Sequence, residues 1–246
     1  MHYVISDIHG NYEKYCELLD CIDLKDEDVL YVLGDVIDRG EQGIRILQDM
    51  MFRINVVPII GNHDLIGWQC LKWLTQEITE ESIDNMDDQM LQIIEEWCKS
   101  GGQTTINEVM VLPKEEREEI LEYLEEFRAY EEVCVGKNTF LLVHGGFEYD
   151  TFDAQRSLDD YDLEELVWTR MKLDEEYFPD KYIVFGHTPT CHLWAEERGV
   201  SLEEILREEN CHRIFKKGKL IGIDCGCAYD GYLGCLCLET MEEIYV

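Results

Sequence analysis

The N-terminal part of the chain repeats one pattern three times: a short apolar run, a polar loop and a segment with apolar residues at helical spacing. The apolar runs are residues 3–5, 29–33 and 54–60, and the helical segments are residues 12–21, 43–51 and those beyond 65. Successive strand–loop–helix units build a parallel sheet. Ligands of such a sheet bind beyond the carboxyl ends of its strands, so we predict one site shared by the three loops.

These three loops carry side chains that are suited to catalysis. They contain Asp7 and His9, then Asp35, Asp38 and Arg39, and finally Asn62, His63 and Asp64. Structural interpretations exist, since Asp and Asn cap helices, loop histidines bond to backbone, and an Asp beside an Arg is often a solvated pair. A purely structural explanation would have to apply separately at three equivalent strand ends, which is far less expected than at one. We therefore predict that these groups converge.

Two later strands also end in histidine. A hairpin predicted over residues 132–143 leads into His144, and a strand predicted over residues 182–185 leads into His187. Three further segments are predicted to be strands of a second sheet: residues 220–224, 231–238 and 243–246.

The stretch from about residue 67 to 130 is acidic and helical, and we interpret it as a cap inserted into a single domain of residues 1–246. The chain is long enough for one well-buried α/β core rather than two. The run 101–105 interrupts the helical pattern and could lie near the site. Three tryptophans are interpreted as core residues of the cap: Trp68, Trp73 and Trp97.

The polar groups at the strand ends form a ligand set for metal ions. The six candidates are Asp7, His9, Asp35, Asn62, His144 and His187. Carboxylate, imidazole and amide oxygen without thiolate suit manganese, iron or zinc in a catalytic site rather than a structural zinc. Two metals need a bridging ligand, and Asp35, at the end of a central strand, is the natural one.

A pair of divalent ions can bind a phosphoryl oxygen and generate hydroxide from a bridging water for in-line attack. Arg39 could then hold the remaining phosphate oxygens, with Arg170 as a further non-ligand candidate. The leaving oxygen needs a proton, and His63 oriented by Asp38 supplies such a pair in principle. The residues therefore indicate metal-dependent hydrolysis of a phosphate.

The ordered motifs resemble those of the calcineurin-like metallophosphoesterases. They are Asp7-Ile8-His9-Gly10, Gly34-Asp35-Val36-Ile37-Asp38-Arg39-Gly40, Gly61-Asn62-His63-Asp64, His144-Gly145-Gly146 and Gly186-His187. Within that family, Asp38-Arg39-Gly40 is similar to the phosphoprotein phosphatase (PPP) branch. The bacterial Ser/Thr protein phosphatases are the better comparison, because the longer C-terminal portion of the eukaryotic enzymes has no match in this sequence.

This resemblance implies an α/β fold, in which two packed mixed β-sheets are flanked by helices as an αββα sandwich. It also implies two divalent metal ions, for which we expect manganese, with iron and zinc as alternatives. The implied ligands are Asp7, His9 and Asp35 for the first metal and Asp35, Asn62, His144 and His187 for the second.

The resemblance also implies roles for residues that contact the substrate. Arg39 and Asn62 would bind the phosphate, and Arg170 corresponds to the second phosphate-binding arginine of bacterial members. His63, paired with Asp38, would donate the proton to the leaving group.

Three positions depart from the family pattern: Ser6 for glycine, Asp64 for glutamate and Cys225 for threonine. The cysteine pairs 225/227 and 235/237 are interpreted as core residues, because their spacing lacks the two-residue gap of zinc knuckles. Three histidines outside the motifs receive no role: His2, His192 and His212.

The net charge of −33, from 54 acidic and 21 basic residues, excludes binding to a nucleic-acid backbone or an anionic membrane through a broad basic surface. The 11 cysteines are odd in number and scattered, which favours reduced thiols. We see no export signal at the start of the sequence. We also see no apolar stretch of the ~20 residues that a membrane span needs. We expect a cytoplasmic protein without a membrane partner.

We predict a metal-dependent phosphomonoesterase, and first a Ser/Thr or dual-specificity protein phosphatase that acts on a phosphorylated protein or peptide. One alternative is a symmetrical diadenosine tetraphosphate hydrolase, since that bacterial enzyme shares the metal motifs. Another alternative, from a different class, is a non-catalytic adaptor that binds phosphoproteins. His63 argues against the adaptor, because a binding module has no use for a proton donor.

Overall fold

Two five-stranded β-sheets form the centre of the molecule. The structure is a computed structural model that describes residues 1–76 and 88–246. Its strands are β1 (His2–Ile5), β2 (Val29–Leu33), β3 (Val56–Ile59), β4 (Tyr130–Val135), β5 (Asn138–Val143), β6 (Lys181–Phe185), β7 (Phe215–Lys217), β8 (Leu220–Gly222), β9 (Gly234–Cys237) and β10 (Glu243–Tyr245). The first sheet has the order β10-β9-β1-β2-β3 and the second the order β4-β5-β6-β8-β7. The predicted pair of mixed sheets is confirmed.

The first sheet contains the predicted parallel strands, with β1 paired to β2 and β2 paired to β3. On the other side of β1, β9 and β10 add two antiparallel strands. The prediction that the last three segments belong to the second sheet is therefore right for β8 and wrong for β9 and β10. Within β9, Cys235 packs under the helices and Leu236 packs between the sheets. Such a strand is apolar on both faces, so its pattern does not reveal which sheet it joins.

Side chains alternate between two buried faces along the central strands. In β2, Tyr31 and Leu33 lie between the two sheets, whereas Leu30 and Val32 pack under the helical layer. The second sheet contributes side chains such as Phe140 to the same inter-sheet layer and packs its other face against its own helices and loops. The two sheets and their outer helices form an αββα sandwich.

The helices lie mainly on the outer faces of this sandwich. They are α1 (Tyr12–Ile22), α2 (Gly43–Met51), α3 (Asn62–Leu74), α4 (Asp88–Trp97), a π-helical turn (Cys98–Gly102), α5 (Gln103–Met110), α6 (Lys114–Glu125), α7 (Leu163–Trp168), α8 (Thr190–Arg198) and α9 (Leu202–Ile205). Short 3-10 turns are Tyr149–Thr151, Leu158–Asp160 and Cys227–Tyr229. Within the described residues, none of these helices has both the length and the apolar character required to cross a bilayer.

Helix α3 begins earlier than the sequence predicted. Asn62, His63 and Asp64 form its first turn, rather than a loop before a helix beyond Leu65. The Asp64 carboxylate accepts a hydrogen bond from the N–H of Gly61 at 3.1 Å, which is one half of a capping box. Because the helix starts directly at the strand end, Asn62 and His63 are held at the edge of the sheet.

The predicted cap region contains the end of α3 together with α4, α5 and α6, while residues 77–87 lie outside the described part of the chain. Helices α5 and α6 contact α2, and helices α4 and α6 contact α3, so these helices extend the helical layer of the first sheet. Trp97 is buried in that layer, and Trp68 and Trp73 are half-buried. A role of this region as a cap over the site stays a prediction.

Candidate active site

The parallel strands of both sheets end at one edge of the sandwich, where the predicted metal ligands meet. The ends of β1, β2, β3, β5 and β6 supply Asp7, His9, Asp35, Asn62, His144 and His187. The N–H of His187 donates to Oδ2 of Asp7 at 3.1 Å, and Nδ1 of His187 lies 2.9 Å from Oδ1 of Asn62. Residues that are up to 180 positions apart in the chain are therefore in direct contact.

The backbone at this edge is strained. Nine non-glycine residues of the described chain have positive φ angles, and six of them belong to the predicted site: Asp7, His9, Asp35, Asp38, Arg39 and His187. Each such residue costs on the order of 1 kcal/mol or more, which the surrounding structure must offset. Strain concentrated in this way is typical of functional sites.

Asp35 is the centre of the cluster. Its Oδ2 lies 3.5 Å from Nε2 of His9, and its Oδ1 lies 3.4 Å from Nε2 of His144. Burial alone would raise the pKa of the Asp35 carboxyl, but the four surrounding histidines hold that pKa well below its usual range. Asp35 is therefore a carboxylate at every physiological pH.

Among the residues that the structure describes, two groups of ligand-type side chains have their ligand atoms within 4.8 Å of one another, and both include Asp35. One group adds Asp7 and His144, and the other adds His9 and His63. A shared Asp35 is the arrangement that a bridging ligand requires. The second group also contains His63, the predicted proton donor. His63 belongs to this group because its ring packs edge to face on the His9 ring, with centroids 4.8 Å apart.

Two of the histidines are oriented by backbone carbonyls. Nδ1 of His9 donates to the carbonyl of Ile37 at 3.0 Å, and Nδ1 of His144 donates to the carbonyl of Leu33 at 2.6 Å. Burial lowers the pKa of His9 to about 3 and also lowers that of His144, so both rings are neutral and their Nε2 atoms are acceptors. These are the tautomer and orientation of metal-binding histidines.

Acceptor atoms face one another in the space between these side chains. Nε2 of His144 is 2.9 Å from Oδ1 of Asn62 and also points towards Oδ1 of Asp35. Burial raises the pKa of Asp7, as do Asp224 and Asp35 beside it, and burial raises the pKa of Asp224 to about 6. Buried acceptors and carboxylates in contact are unfavourable without positive charge between them. The residues therefore fit divalent cations.

The predicted pair of Asp38 and His63 is present, with Nδ1 of His63 2.7 Å from Oδ2 of Asp38. Asp38 is fully buried and accepts two further hydrogen bonds, from Nε1 of Trp97 at 2.7 Å and from Oγ1 of Thr105 at 2.6 Å. Trp97 is thus a buried residue, as the sequence indicated, but it also orients Asp38. The carbonyl of Gly101 accepts the N–H of Arg39 at 3.1 Å, so the run 101–105 does lie at the site.

Arg39 lies between two histidines of the cluster. Its Nη1 is 2.7 Å from Nε2 of His9, and its Nη2 is 3.0 Å from Nε2 of His63. The guanidinium also lies 5.0 Å from the centroid of the Tyr229 ring. Burial would lower the pKa of His63, but the carboxylates of Asp35 and Asp38 outweigh it and raise that pKa, which favours the protonated ring. Arg39 and His63 thus lie side by side on the wall of the same cavity.

Asp64 also organises the site, although no role was predicted for it. Its buried carboxylate accepts the N–H groups of Asp35 at 2.7 Å and Val36 at 3.0 Å, in addition to that of Gly61. These bonds tie the loop after β2 to the first turn of α3. The sequence signal was the Gly61-Asn62-His63-Asp64 motif itself, in which only the two central residues received roles.

Ser6 and Asp224 are two further site residues without an assigned role. Ser6 Oγ contacts the Asp7 carboxylate and lies 3.1 Å from the carbonyl of Leu33. Asp224 follows β8, is buried, and accepts the N–H of Gly226 at 3.0 Å. In the sequence, Ser6 stands out only as a departure from the family pattern and Asp224 only as the end of a predicted strand.

The cysteines behave as the sequence indicated. All 11 are free thiols, and Cys225, Cys227, Cys235 and Cys237 are buried. Within the described residues, neither of the metal-ligand groups contains a cysteine.

A cavity of about 620 Å³ opens directly onto the cluster. Its inner wall includes Asp7, Asp35, Arg39, Asn62 and His63, and its outer wall includes Trp168, Arg170, His187, His192, Leu202, Leu206, His212 and Tyr229. Arg170 is exposed on that outer wall. Sequence reasoning missed His192 and His212, because both lie on the connection between β6 and β7 and outside every motif.

We expect Trp97→Phe to lower kcat/KM by about 10- to 100-fold while leaving the fold intact. The change removes one donor to a buried carboxylate, which is worth about 1.5–3 kcal/mol, and keeps an aromatic ring in place. Steady-state kinetics with circular dichroism tests this. Trp68→Phe is the matched control, since Trp68 belongs to the same helical layer. Equal kinetics for the two variants would contradict the orienting role of Trp97.

An αββα sandwich with a carboxylate and histidine cluster at its strand ends defines a metal-dependent phosphoesterase. The chain belongs to the calcineurin-like phosphoesterase family, whose model matches residues 3–215. This family uses divalent metal ions, in agreement with the ligand groups described above.

The relatives of this chain include dinucleoside tetraphosphatases. It is 30% identical over 104 residues to a symmetrical bis(5'-nucleosyl)-tetraphosphatase of Wigglesworthia glossinidia brevipalpis, covering 40% of this chain and 37% of that protein. It is 24% identical over 269 residues to the asymmetrical bis(5'-nucleosyl)-tetraphosphatase PrpE of Halalkalibacterium halodurans, covering 99% of this chain and 92% of that protein. A crystal structure presented as a candidate diadenosine tetraphosphatase has the same fold, with a TM-score of 0.60, 17% identity and coverage of 100% and 92%.

Proposed function

We propose that this metal-dependent phosphoesterase hydrolyses a dinucleoside polyphosphate. The observation that carries the proposal is the cavity of about 620 Å³, which leads from the metal-ligand cluster to a wall of aromatic and aliphatic side chains. Cavities of this size bury small organic molecules. The similarity to the two tetraphosphatases described above supports the same substrate class.

The residues at the inner end of the cavity have distinct roles in this proposal. When bound, two divalent ions supply Lewis-acid stabilisation of negative charge on the phosphoryl group, and the donor set suits manganese, iron or zinc. The ligands would be Asp7, His9 and Asp35 for one ion and Asp35, Asn62, His144 and His187 for the other.

Proton transfer and phosphate binding are assigned to the side chains beside this cluster. Arg39 presents its guanidinium into the cavity and would hold phosphate oxygens, with Asn62 and the exposed Arg170 on the same wall. His63 would donate a proton to the leaving oxygen, while Asp38 holds the ring by its Nδ1 at 2.7 Å.

A Ser/Thr or dual-specificity protein phosphatase is the second candidate. It is supported by the similarity of Asp38-Arg39-Gly40 to the PPP branch, and its substrate would be a phosphorylated protein or peptide. The aromatic wall of the cavity also suits a phosphotyrosine ring. A non-catalytic adaptor is disfavoured because three hydrogen bonds to Asp38 orient a proton donor that binding alone does not need.

A substrate panel with Mn²⁺ distinguishes these functions. We expect kcat/KM for diadenosine tetraphosphate to exceed that for phosphoserine, phosphothreonine and phosphotyrosine peptides by about 100-fold or more, since contacts to the nucleoside are lost with a peptide. Chromatography of the products gives the position of cleavage. A preference for any of the phosphopeptides would overturn the proposal in favour of a protein phosphatase. Metal binding without turnover on any substrate would favour the adaptor.

A further inference from the structure

The outer part of the cavity has a chemistry that the hydrolytic residues do not explain. Three large side chains on its wall remain exposed although they are aromatic or aliphatic: Trp168 (46%), Leu206 (48%) and Tyr229 (57%). Apolar groups gathered in a concave site are typical of ligand binding rather than of ordinary surface. We name the part of the wall formed by Trp168, His192, Leu202, Leu206 and His212 the neutral limb.

The neutral limb lacks negative charge in a strongly acidic protein. The chain has 54 acidic residues, yet among the described residues the carboxylates on the cavity wall are only Asp7, Asp35 and Asp224, all of which belong to the buried cluster. Beside the limb, Arg170 adds a positive charge. A phosphate would therefore be held at the inner end, while an uncharged group would occupy the limb.

Two imidazoles give the neutral limb polar edges. Burial lowers the pKa of His192 and of His212, so each ring is neutral near pH 7 and offers one donor and one acceptor. The His192 side chain is exposed on the cavity wall, and Nδ1 of His212 is buried without a hydrogen-bond partner among the described residues. A nitrogen heterocycle can pair with such edges, whereas a hydrocarbon ring cannot.

The neutral limb adjoins a predicted metal ligand at the inner end of the cavity. The Trp168 ring lies edge-on to the His187 ring, with centroids 5.9 Å apart. His187 in turn contacts Asn62 at the inner end of the cavity. The limb thus begins immediately beside the residues that would hold the phosphate.

We propose that the neutral limb is the subsite for a nucleobase of the substrate. The flat face of the base lies against Trp168 and Leu206, and its nitrogen and oxygen atoms meet His192 and His212. This inference rests on the proposed function for the identity of the substrate. Its own content is narrower: the limb selects a neutral nitrogen heterocycle that is linked through a sugar to a phosphate.

Isothermal titration calorimetry with the Mn²⁺-loaded protein tests the subsite, and a phosphate-release assay on each titrated sample verifies that the ligand stays intact. AMP and ribose 5-phosphate share the sugar phosphate and differ only by the base. We expect AMP to bind about 10-fold more tightly or better, since base–aromatic contacts contribute on that scale. Trp168→Ala and His212→Ala should each reduce this preference to about 3-fold or less. Trp68→Ala is the matched control, because it removes a tryptophan on another helix, and this variant should retain the preference for AMP.

The outcomes separate the subsite from the proposed function. Equal affinities of AMP and ribose 5-phosphate in the wild type would overturn the subsite, even if diadenosine tetraphosphate is hydrolysed. A preference for AMP that survives both cavity variants would overturn its location. Binding of O-phosphotyrosine as tightly as AMP would overturn the choice of a heterocycle in favour of any flat ring. If both variants abolish the preference for AMP, the subsite is supported. If the substrate panel at the same time shows hydrolysis of phosphopeptides rather than of the dinucleotide, the subsite stands and the proposed dinucleotide substrate is rejected.

Discussion

Asp35→Asn is expected to reduce kcat on the best substrate by about 10³-fold or more, which is on the order of 4 kcal/mol of transition-state stabilisation. Asp35 belongs to both ligand groups and lies within 3.5 Å of Nε2 of His9 and 3.4 Å of Nε2 of His144. An amide at this position has one acceptor oxygen and no charge, so it cannot bridge two cations as a carboxylate does. Kinetics and metal analysis of the dialysed protein measure the effect, and we expect bound Mn²⁺ to fall from two ions to one or none.

Asp35→Asn removes the negative charge of the side chain without adding strain to the backbone, so its effect can be attributed to the charge. Asp35 has a φ angle of 53°, and asparagine tolerates this left-handed conformation as well as aspartate does. Asp23→Asn is the matched control, since Asp23 has a φ angle of 47° at the end of α1, where its exposed side chain pairs with Lys25. An Asp35→Asn protein that keeps two Mn²⁺ ions and a tenth of its activity would refute the bridging role.

Much of the site could be predicted because parallel strands impose its geometry. Once residues 3–5, 29–33 and 54–60 are interpreted as neighbouring parallel strands, the polar residues after them must share one edge. The same reasoning placed His144 and His187, whose strands are parallel neighbours in the second sheet. Local sequence is sufficient here, since the position of each group depends only on where its own strand ends.

The partners of Asp38 could not be predicted in this way. Trp97 and Thr105 belong to helices whose approach to the loop after β2 depends on packing between α4, α5 and the first sheet. The π-helical turn between those helices has Gly101 at a φ angle of 121°, which directs its carbonyl to Arg39. A sequence pattern gives the faces of helices but not the angle at which they meet.

The same limit applies to the outer wall of the cavity and to the last two strands. His192 and His212 are 20 positions apart in the chain. Both line the cavity only because of the course that the connection between β6 and β7 takes. Likewise β9 pairs with β1 at the opposite end of the chain, through Tyr3 and Val4. Contacts that depend on long-range pairing leave no local signal, whereas those at strand ends do.

His63→Asn is expected to slow the hydrolysis of substrates in proportion to the basicity of their leaving group. A general acid contributes most when the departing oxygen is strongly basic, so we expect a loss of about 10²–10⁴-fold for an alkyl phosphate and a much smaller loss for p-nitrophenyl phosphate. His2→Asn is the matched control, because His2 lies at the surface beside Glu239. Steady-state kcat over a series of phosphate monoesters gives the dependence.

The series also separates the two contacts that His63 makes. Nη2 of Arg39 lies 3.0 Å from Nε2 of His63 and donates to that nitrogen when the ring is neutral, so replacement of His63 is expected to weaken phosphate binding as well as proton transfer. Loss of the Arg39 contact would raise KM by a similar factor for every ester, since all of them carry the same phosphate. Loss of the proton donor would lower kcat unequally, because only the leaving groups differ. A uniform rise in KM, with no dependence of kcat on the leaving group, would therefore leave His63 as a residue that positions Arg39 and would remove it from the role of acid.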